Sequence, residues 1–255
     1  MSFRQQSNGS SRRSASSSKT TQLSSQKKTL GGGQSSTPTV DAQLLCEAED
    51  LAKALHKKTR LRPGAPATEI AQALGYTVFR DPQIAGGARG YSAESVIYLR
   101  PERYRPREEF ACGHEIGELT IDDSVPNDTR EIMCQRIASA LLLPARAYLR
   151  SAALCGYELP ALRRKWPHAS YQVLGVRLAE LLPGVVAAAW VDCEPHRGRS
   201  LGSAAVADLT DLERQAVQRA YMKTGRGIAA SRDMVAVAWR LTGPGKRAIS
   251  ITIPR

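Results

Sequence analysis

The stretch FACGHEIGELTID, residues 110–122, decides how the rest of the chain is read. Its pattern predicts a helix from about Pro106 to Leu119. On a helix, residues four apart lie on one face, so His114 and Glu118 point the same way and can hold one ion. Glu115 sits about 100° round from His114, where a general base reaches water beside that ion. This is the logic of helices reading His-Glu-x-x-His, in which both histidines bind zinc and the glutamate is the base. Here Glu118 stands in the second histidine's place.

A third ligand has to come from elsewhere. TREIMCQRIASALLLP (129–144) reads as a second helix, with Thr129 or Asp128 as its cap and Pro144 marking its end. From Glu131, the residues Cys134, Ala138, Leu141 and Leu142 recur at helical spacing. Glu131 thus opens a buried stripe and is expected to look inward. If the two helices pack together, His114, Glu118 and Glu131 converge.

EFACGHEIGEL followed by EIMCQRIASALLLP resembles the ImmA/IrrE family of bacterial metallopeptidases. The likeness is carried by Phe110, His114, Glu115, Ile116, Gly117, Glu131, Cys134, Ala138, Leu141, Leu142 and Pro144, and it covers about 41–183. It implies a minimal zincin-like fold, with His114 and Glu131 as metal ligands and Glu115 as catalytic base. The substrate it implies is a protein, commonly a transcriptional repressor. Glu118 departs from the family's pattern.

A glutamate can bind zinc at about 2.0–2.2 Å, so reach does not exclude Glu118 as a ligand. Charge is the larger problem. Each added carboxylate makes the ion a poorer Lewis acid, and an oxygen-rich site turns preference from Zn2+ toward Mn2+ or Mg2+. Without an ion, three clustered carboxylates repel and one has to stay protonated at pH 7. Two readings follow. One is a metal-dependent endopeptidase, with Glu118 substituting for the histidine, that cleaves a repressor or other regulatory protein. The other is a catalytically degenerate relative that acts by binding protein or DNA.

Around this centre the chain reads as α+β. Residues 1–40 are rich in Ser, hold six basic residues and no acid, and are expected to be a disordered basic tail. The remaining residues carry 30 basic and 24 acidic side chains, so half of the net charge of +12 belongs to the tail. Such a tail supports weak, salt-sensitive nucleic-acid contact. Helices are expected over 41–59, 67–75 (capped by Thr68, stopped by Gly75), 145–153, 159–166 and 171–183 (capped by Ser170). Strands are expected over 76–81 and 94–101, with a Gly-rich connection between them. Residues 41–183 form the expected metallopeptidase domain, and 184–255 a small α/β module of unknown role. That module holds a strand at 185–194, a helix at 209–225, and a hairpin of 234–241 and 247–254.

The segment 159–182 is helix-turn-helix-like, with Arg163, Arg164, Lys165 and Arg177 nearby. Its second helix offers only Gln172 and Arg177 as a polar face, so it is read mainly as packing. His168 is read as a solvated turn residue, Asp122 and Asp123 as helix-ending residues, and His56 and His196 as surface residues. Cys112 and Cys134 are read as core. Five cysteines without a CxxC pair point to reduced thiols in a cytoplasmic protein. No run of about 18 apolar residues suggests a membrane span.

Overall fold

Leu44, Leu51 and Leu55 recur along α1 (Val40–Thr59) and pack against the core, which fixes one face of that helix inward. The computed structural model describes residues 40–84, 90–191, 194–195, 211–222, 225–242 and 246–255. Of the tail expected over 1–40 only Val40, the first residue of α1, is described; His196 lies outside the described residues, as does most of the link between 191 and 211.

Helix α2 (Ala67–Ala73) starts at the expected residue, with Pro66 in the N-cap position. Thr68 is not the cap. Its backbone N–H and its hydroxyl both donate to the buried carboxylate of Glu109, at 3.0 Å and 3.2 Å, so an acid from another helix satisfies this helix start. Gly75 ends the helix as expected. It takes φ +95°, its N–H donates to the Gln72 carbonyl, and the Tyr76 N–H donates to that of Ala71.

Three strands follow: β1 (Thr77–Arg80), β2 (Gly90–Ala93) and β3 (Val96–Leu99). β3 lies in the middle, parallel to β1 and antiparallel to β2. Ile97 and Leu99 face the core. β2 arises in a stretch expected to be connection, because Gly, Ser and Ala offer no apolar alternation to read.

Helix α3 (Arg105–Glu118) carries the His-Glu-x-x-Glu pattern, and α4 (Asn127–Leu142) carries Glu131. α4 begins after Pro126, two residues before Thr129, with no side-chain cap. A Cβ added at Gly113 would lie 3.0 Å from the Ala138 Cα, and one at Gly117 3.0 Å from the Cys134 Cα. The two glycines therefore let α3 and α4 cross, antiparallel, with their backbones nearly touching. At the far end of α4, His56 is half-buried rather than on the surface. Its Nε2 lies 3.0 Å from the Leu141 carbonyl, one of the acceptors left over at a helix C-terminus.

Helices α5 (Ala145–Leu154), α6 (Leu159–Lys165) and α7 (Tyr171–Leu181) complete the helical layer. Ser170 caps α7 by accepting from the Val173 N–H at 3.2 Å. Arg177, counted above in α7's polar face, is fully buried. It is held by Glu49, by Glu180 at 3.2 Å and by the Leu143 carbonyl at 3.1 Å, and no base edge can reach it.

The C-terminal sheet has the order β5-β4-β8-β7-β6. Its strands are β4 (Val186–Val191), β5 (Glu194–Pro195), β6 (Arg226–Ala230), β7 (Met234–Leu241) and β8 (Arg247–Pro254), and α8 (Asp211–Met222) covers one face. The expected hairpin is β7–β8, with its turn residues 243–245 outside the described residues. β6 has no counterpart in the sequence reading. Its inward residues are Gly227 and Ala229, too small to register as a hydrophobic pattern. They are small for a reason: a Cβ on Gly227 would lie 1.9 Å from the Ala216 carbonyl of α8. On the sheet's other face, α7 packs against β4 and β8, and Val185, Ala187, Trp239, Ile249 and Ile251 join the core cluster of the helical layer.

Candidate metal centre

The close crossing of α3 and α4 positions the site. With Gly117 pressed on Cys134, the last turn of α3 lies beside the first turns of α4. His114 Nε2 then stands 3.6 Å from Glu118 Oε1 and 3.5 Å from Glu131 Oε2. Donors placed tetrahedrally round zinc at about 2.0–2.2 Å are roughly 3.4 Å from one another. Each of these contacts has the spacing of one donor pair, and among the described residues the set whose donor atoms all lie within 4.8 Å of one another is His114, Glu118 and Cys134, without Glu131. In the metal-free chain burial, then the nearby Glu118 carboxylate, pushes the Cys134 thiol far above its ordinary range.

Glu131 corrects the sequence reading in one respect. Its stripe-mates Cys134, Ala138, Leu141 and Leu142 are buried, but Glu131 is 55% exposed. It sits near the N-terminal end of α4, where the stripe runs out to the rim, and reaches His114 from the solvent side.

The cleft is open, about 600 Å³, and lined by Gly90, Tyr91 and Ser92 of β2 on one side and by His114, Glu115 and Glu118 on the other. Glu115 is buried at its floor. Burial pushes its carboxyl up to about 7; the Glu118 and Glu131 charges add to that, and a hydrogen bond with Ser92 opposes it. Glu115 is thus about half protonated near neutral pH in the metal-free chain. Gly90 makes room for it: a Cβ there would lie 3.2 Å from Glu115 Oε1 and 2.8 Å from the Tyr98 carbonyl.

One residue of the site was not foreseen. Arg130 Nε donates to Glu118 Oε2 at 2.6 Å, and its Nη2 donates to the Glu118 backbone carbonyl at 2.7 Å. Its Nη1 reaches Asp123 Oδ1 at 3.1 Å. The available signal was a cation near the start of a helix, where the dipole disfavours it and a partner is needed. Asp123 lines the cleft, and Asp122 accepts from the Ser124 N–H at 2.9 Å in the turn after α3. His168 is half-buried in the turn between α6 and α7 and is not among the residues lining the cleft.

Two glutamates preceding the histidine are structural. Glu108 binds Arg80 of β1, at 2.8 Å from its Nε, and Glu109 holds the start of α2 as described. They tie the motif helix to the sheet and to α2.

Residues 71–179 match the family model of the IrrE N-terminal-like domain, a peptidase family. Over this segment the chain is similar to that family. No curated protein matches the chain. Among solved structures, a Mycobacterium tuberculosis transcriptional regulator shares the fold at a TM-score of 0.62 and 14% identity, over 85% of this chain and 81% of that one. The IrrE-like segment spans α3 and α4 complete, so every residue of the candidate centre lies inside it. The family supports a metallopeptidase-like or regulatory fold of the IrrE type. No helix among the described residues is long and apolar enough to cross a membrane.

Proposed function

We propose that this protein is a metal-dependent endopeptidase of the IrrE type, acting in the cytoplasm on a repressor or other regulatory protein. The observation that carries the reading is His114 Nε2 with Glu118 Oε1 at 3.6 Å and Glu131 Oε2 at 3.5 Å, beside Glu115 in an open cleft. These three side chains would hold the ion, with Zn2+ favoured by the histidine and Mn2+ or Mg2+ by the two carboxylates. A divalent cation there supplies Lewis acidity to a peptide carbonyl and acidifies water.

The chain's own residues do the rest. Glu115, as carboxylate, takes the proton from the water attacking the scissile carbonyl and passes it to the departing amine. Its desolvation raises its basicity toward that task, and Ser92 fixes its orientation. β2 is an edge strand of its sheet and borders the cleft, so an extended peptide can pair with its open side. That geometry suits an extended protein segment. The free thiols Cys46, Cys112, Cys134 and Cys155 suit a reducing compartment.

Elemental analysis of the purified protein tests the reading. About one divalent ion per chain is expected, with the melting temperature lowered by chelator. A metal content near zero and a melting temperature indifferent to chelator would sink it.

A regulatory reading has its own support. The Mycobacterium tuberculosis protein of similar fold is named a transcriptional regulator, and Arg130 already supplies a positive charge to Glu118. The substitution Glu115→Gln separates the two, since a regulator keeps its biological effect without the base and a peptidase loses it.

A further inference from the structure

We propose that Glu118 and Arg130 act as one unit, an ion pair that takes the place of the neutral second histidine in a His-Glu-x-x-His helix. The proposal rests on the metal-site reading above and explains how that site accommodates a glutamate.

The geometry divides the labour of the Glu118 carboxylate. Oε2 accepts from Arg130 Nε at 2.6 Å, while Oε1 faces His114 Nε2 at 3.6 Å. One oxygen is anchored and the other is presented to the ion, as a single-donor ligand in the manner of an imidazole nitrogen. Ligating carboxylates are commonly held by such hydrogen bonds.

Arg130 is itself fixed. Its fork reaches the Glu118 carbonyl at 2.7 Å, the Asp122 carbonyl at 3.3 Å and Asp123 Oδ1 at 3.1 Å, and its side chain is only 16% exposed. Glu118 is the last residue of α3, so the guanidinium lies where unpaired carbonyls and the helix dipole favour a cation. A lysine has one point of charge and cannot hold carboxylate and carbonyl together in this way.

The charges then balance. A site of two neutral histidines and one glutamate carries one negative charge. Counting the ligands and the Arg130 that holds one of them, a site of His114, Glu131 and the Glu118–Arg130 pair carries the same; Asp123, on the far side of Arg130, is fully exposed to solvent. The pair restores the electrostatics that a bare glutamate would spoil, while leaving an oxygen donor in the nitrogen's place. Arg130 is a positioning residue: it acts through Glu118.

Zinc affinity of the full chain, measured by competition with a chromophoric chelator, tests the pair in four proteins: the wild type, Arg130→Gln, Glu118→His, and the double variant. In the protein with Glu118, Arg130→Gln removes the anchor and is expected to weaken zinc binding about tenfold or more. With Glu118→His in place, Arg130 keeps Asp123 and the two backbone carbonyls but has no carboxylate ligand left to hold, so its charge opposes the ion and the same change is expected to tighten binding by a similar factor. A purely structural role for Arg130 cannot produce that inversion. Thermal melts of the metal-free proteins check folding. If Arg130→Gln does not fold, Arg130→Lys replaces it: it should weaken zinc binding beside Glu118 and give no gain beside the Glu118→His change. If the substitution at Arg130 shifts zinc affinity alike in both backgrounds, the pair is overturned and the metal site stands. If the wild type takes up no zinc, the pair and the metal-site reading fall together.

Discussion

Glu115 has to be buried enough to be a good base and ionised often enough to act. Burial, reinforced by Glu118 and Glu131, moves its carboxyl from the ordinary 4.5 to about 7 in the metal-free chain. The folded protein therefore holds this proton more tightly than the unfolded chain does. Its stabilising effect is complete below about 4.5 and is lost as pH rises through about 7. Glu115→Gln removes the charge and keeps the shape. Urea melts of metal-free protein are expected to show the variant more stable than wild type at pH 8, by up to roughly 3 kcal/mol, with the gap closing toward pH 4.5. Equal stability at both pH values would mean that Glu115 is not desolvated as described. The same variant should take up metal and hydrolyse nothing. At this scale the sequence showed His114, Glu115 and Glu118 directly, because helical spacing alone places them. Arg130 was hidden: its link to Glu118 crosses a loop, and no local periodicity connects the two.

The α3–α4 crossing turns helix geometry into a site. Alanine is a better helix former than glycine by about 1 kcal/mol, so Gly117→Ala would stabilise an isolated α3. In the fold the new Cβ meets the Cys134 Cα at 3.0 Å and its Sγ at 3.2 Å, and backbone cannot swing aside as a side-chain tip can. Overpacking of this kind costs about 1–3 kcal/mol, which outweighs the propensity gain. A lower melting temperature is expected, together with weaker metal uptake, because the helices carrying His114 and Glu131 are pushed apart. A melting temperature at or above that of the wild type would show that the crossing has slack. Helices and the larger strands were legible because Leu, Ile and Val mark their buried faces. β2 and β6 were not, since Gly90, Gly227 and Ala229 are small where another element comes close. At the start of α2, the acid that accepts from the Thr68 N–H is Glu109, 41 residues away. Reading along the chain cannot find such a partner.

On the scale of the whole molecule, the family pattern ends before the core does. The IrrE-like match stops at residue 179, yet Val185, Ala187, Trp239, Ile249 and Ile251 share one buried cluster with Leu174 and Leu178 of α7. A Cβ on Gly175 would sit 3.0 Å from Ile249 Cδ1, so α7 is seated directly on β8. The other side of α7 supports the site helix: buried Arg177 binds the Leu143 carbonyl just past α4, and Glu49 of α1. A path of packed groups thus runs from the C-terminal sheet through α7 to the helix bearing Glu131. Full burial of a large apolar side chain contributes about 1.5–3 kcal/mol, and four such side chains from 184–255 enter this cluster. Their sum is comparable with the whole stability of an ordinary domain, about 5–15 kcal/mol. A fragment of residues 38–183 holds every proposed ligand and the base, yet it is expected to lack a cooperative thermal transition and to bind zinc far more weakly than the full chain. Circular dichroism melts and the same chelator competition measure both. A fragment that melts cooperatively and keeps its zinc affinity would place an energetic boundary at 183/184 and make the sheet an accessory to the site rather than part of its foundation.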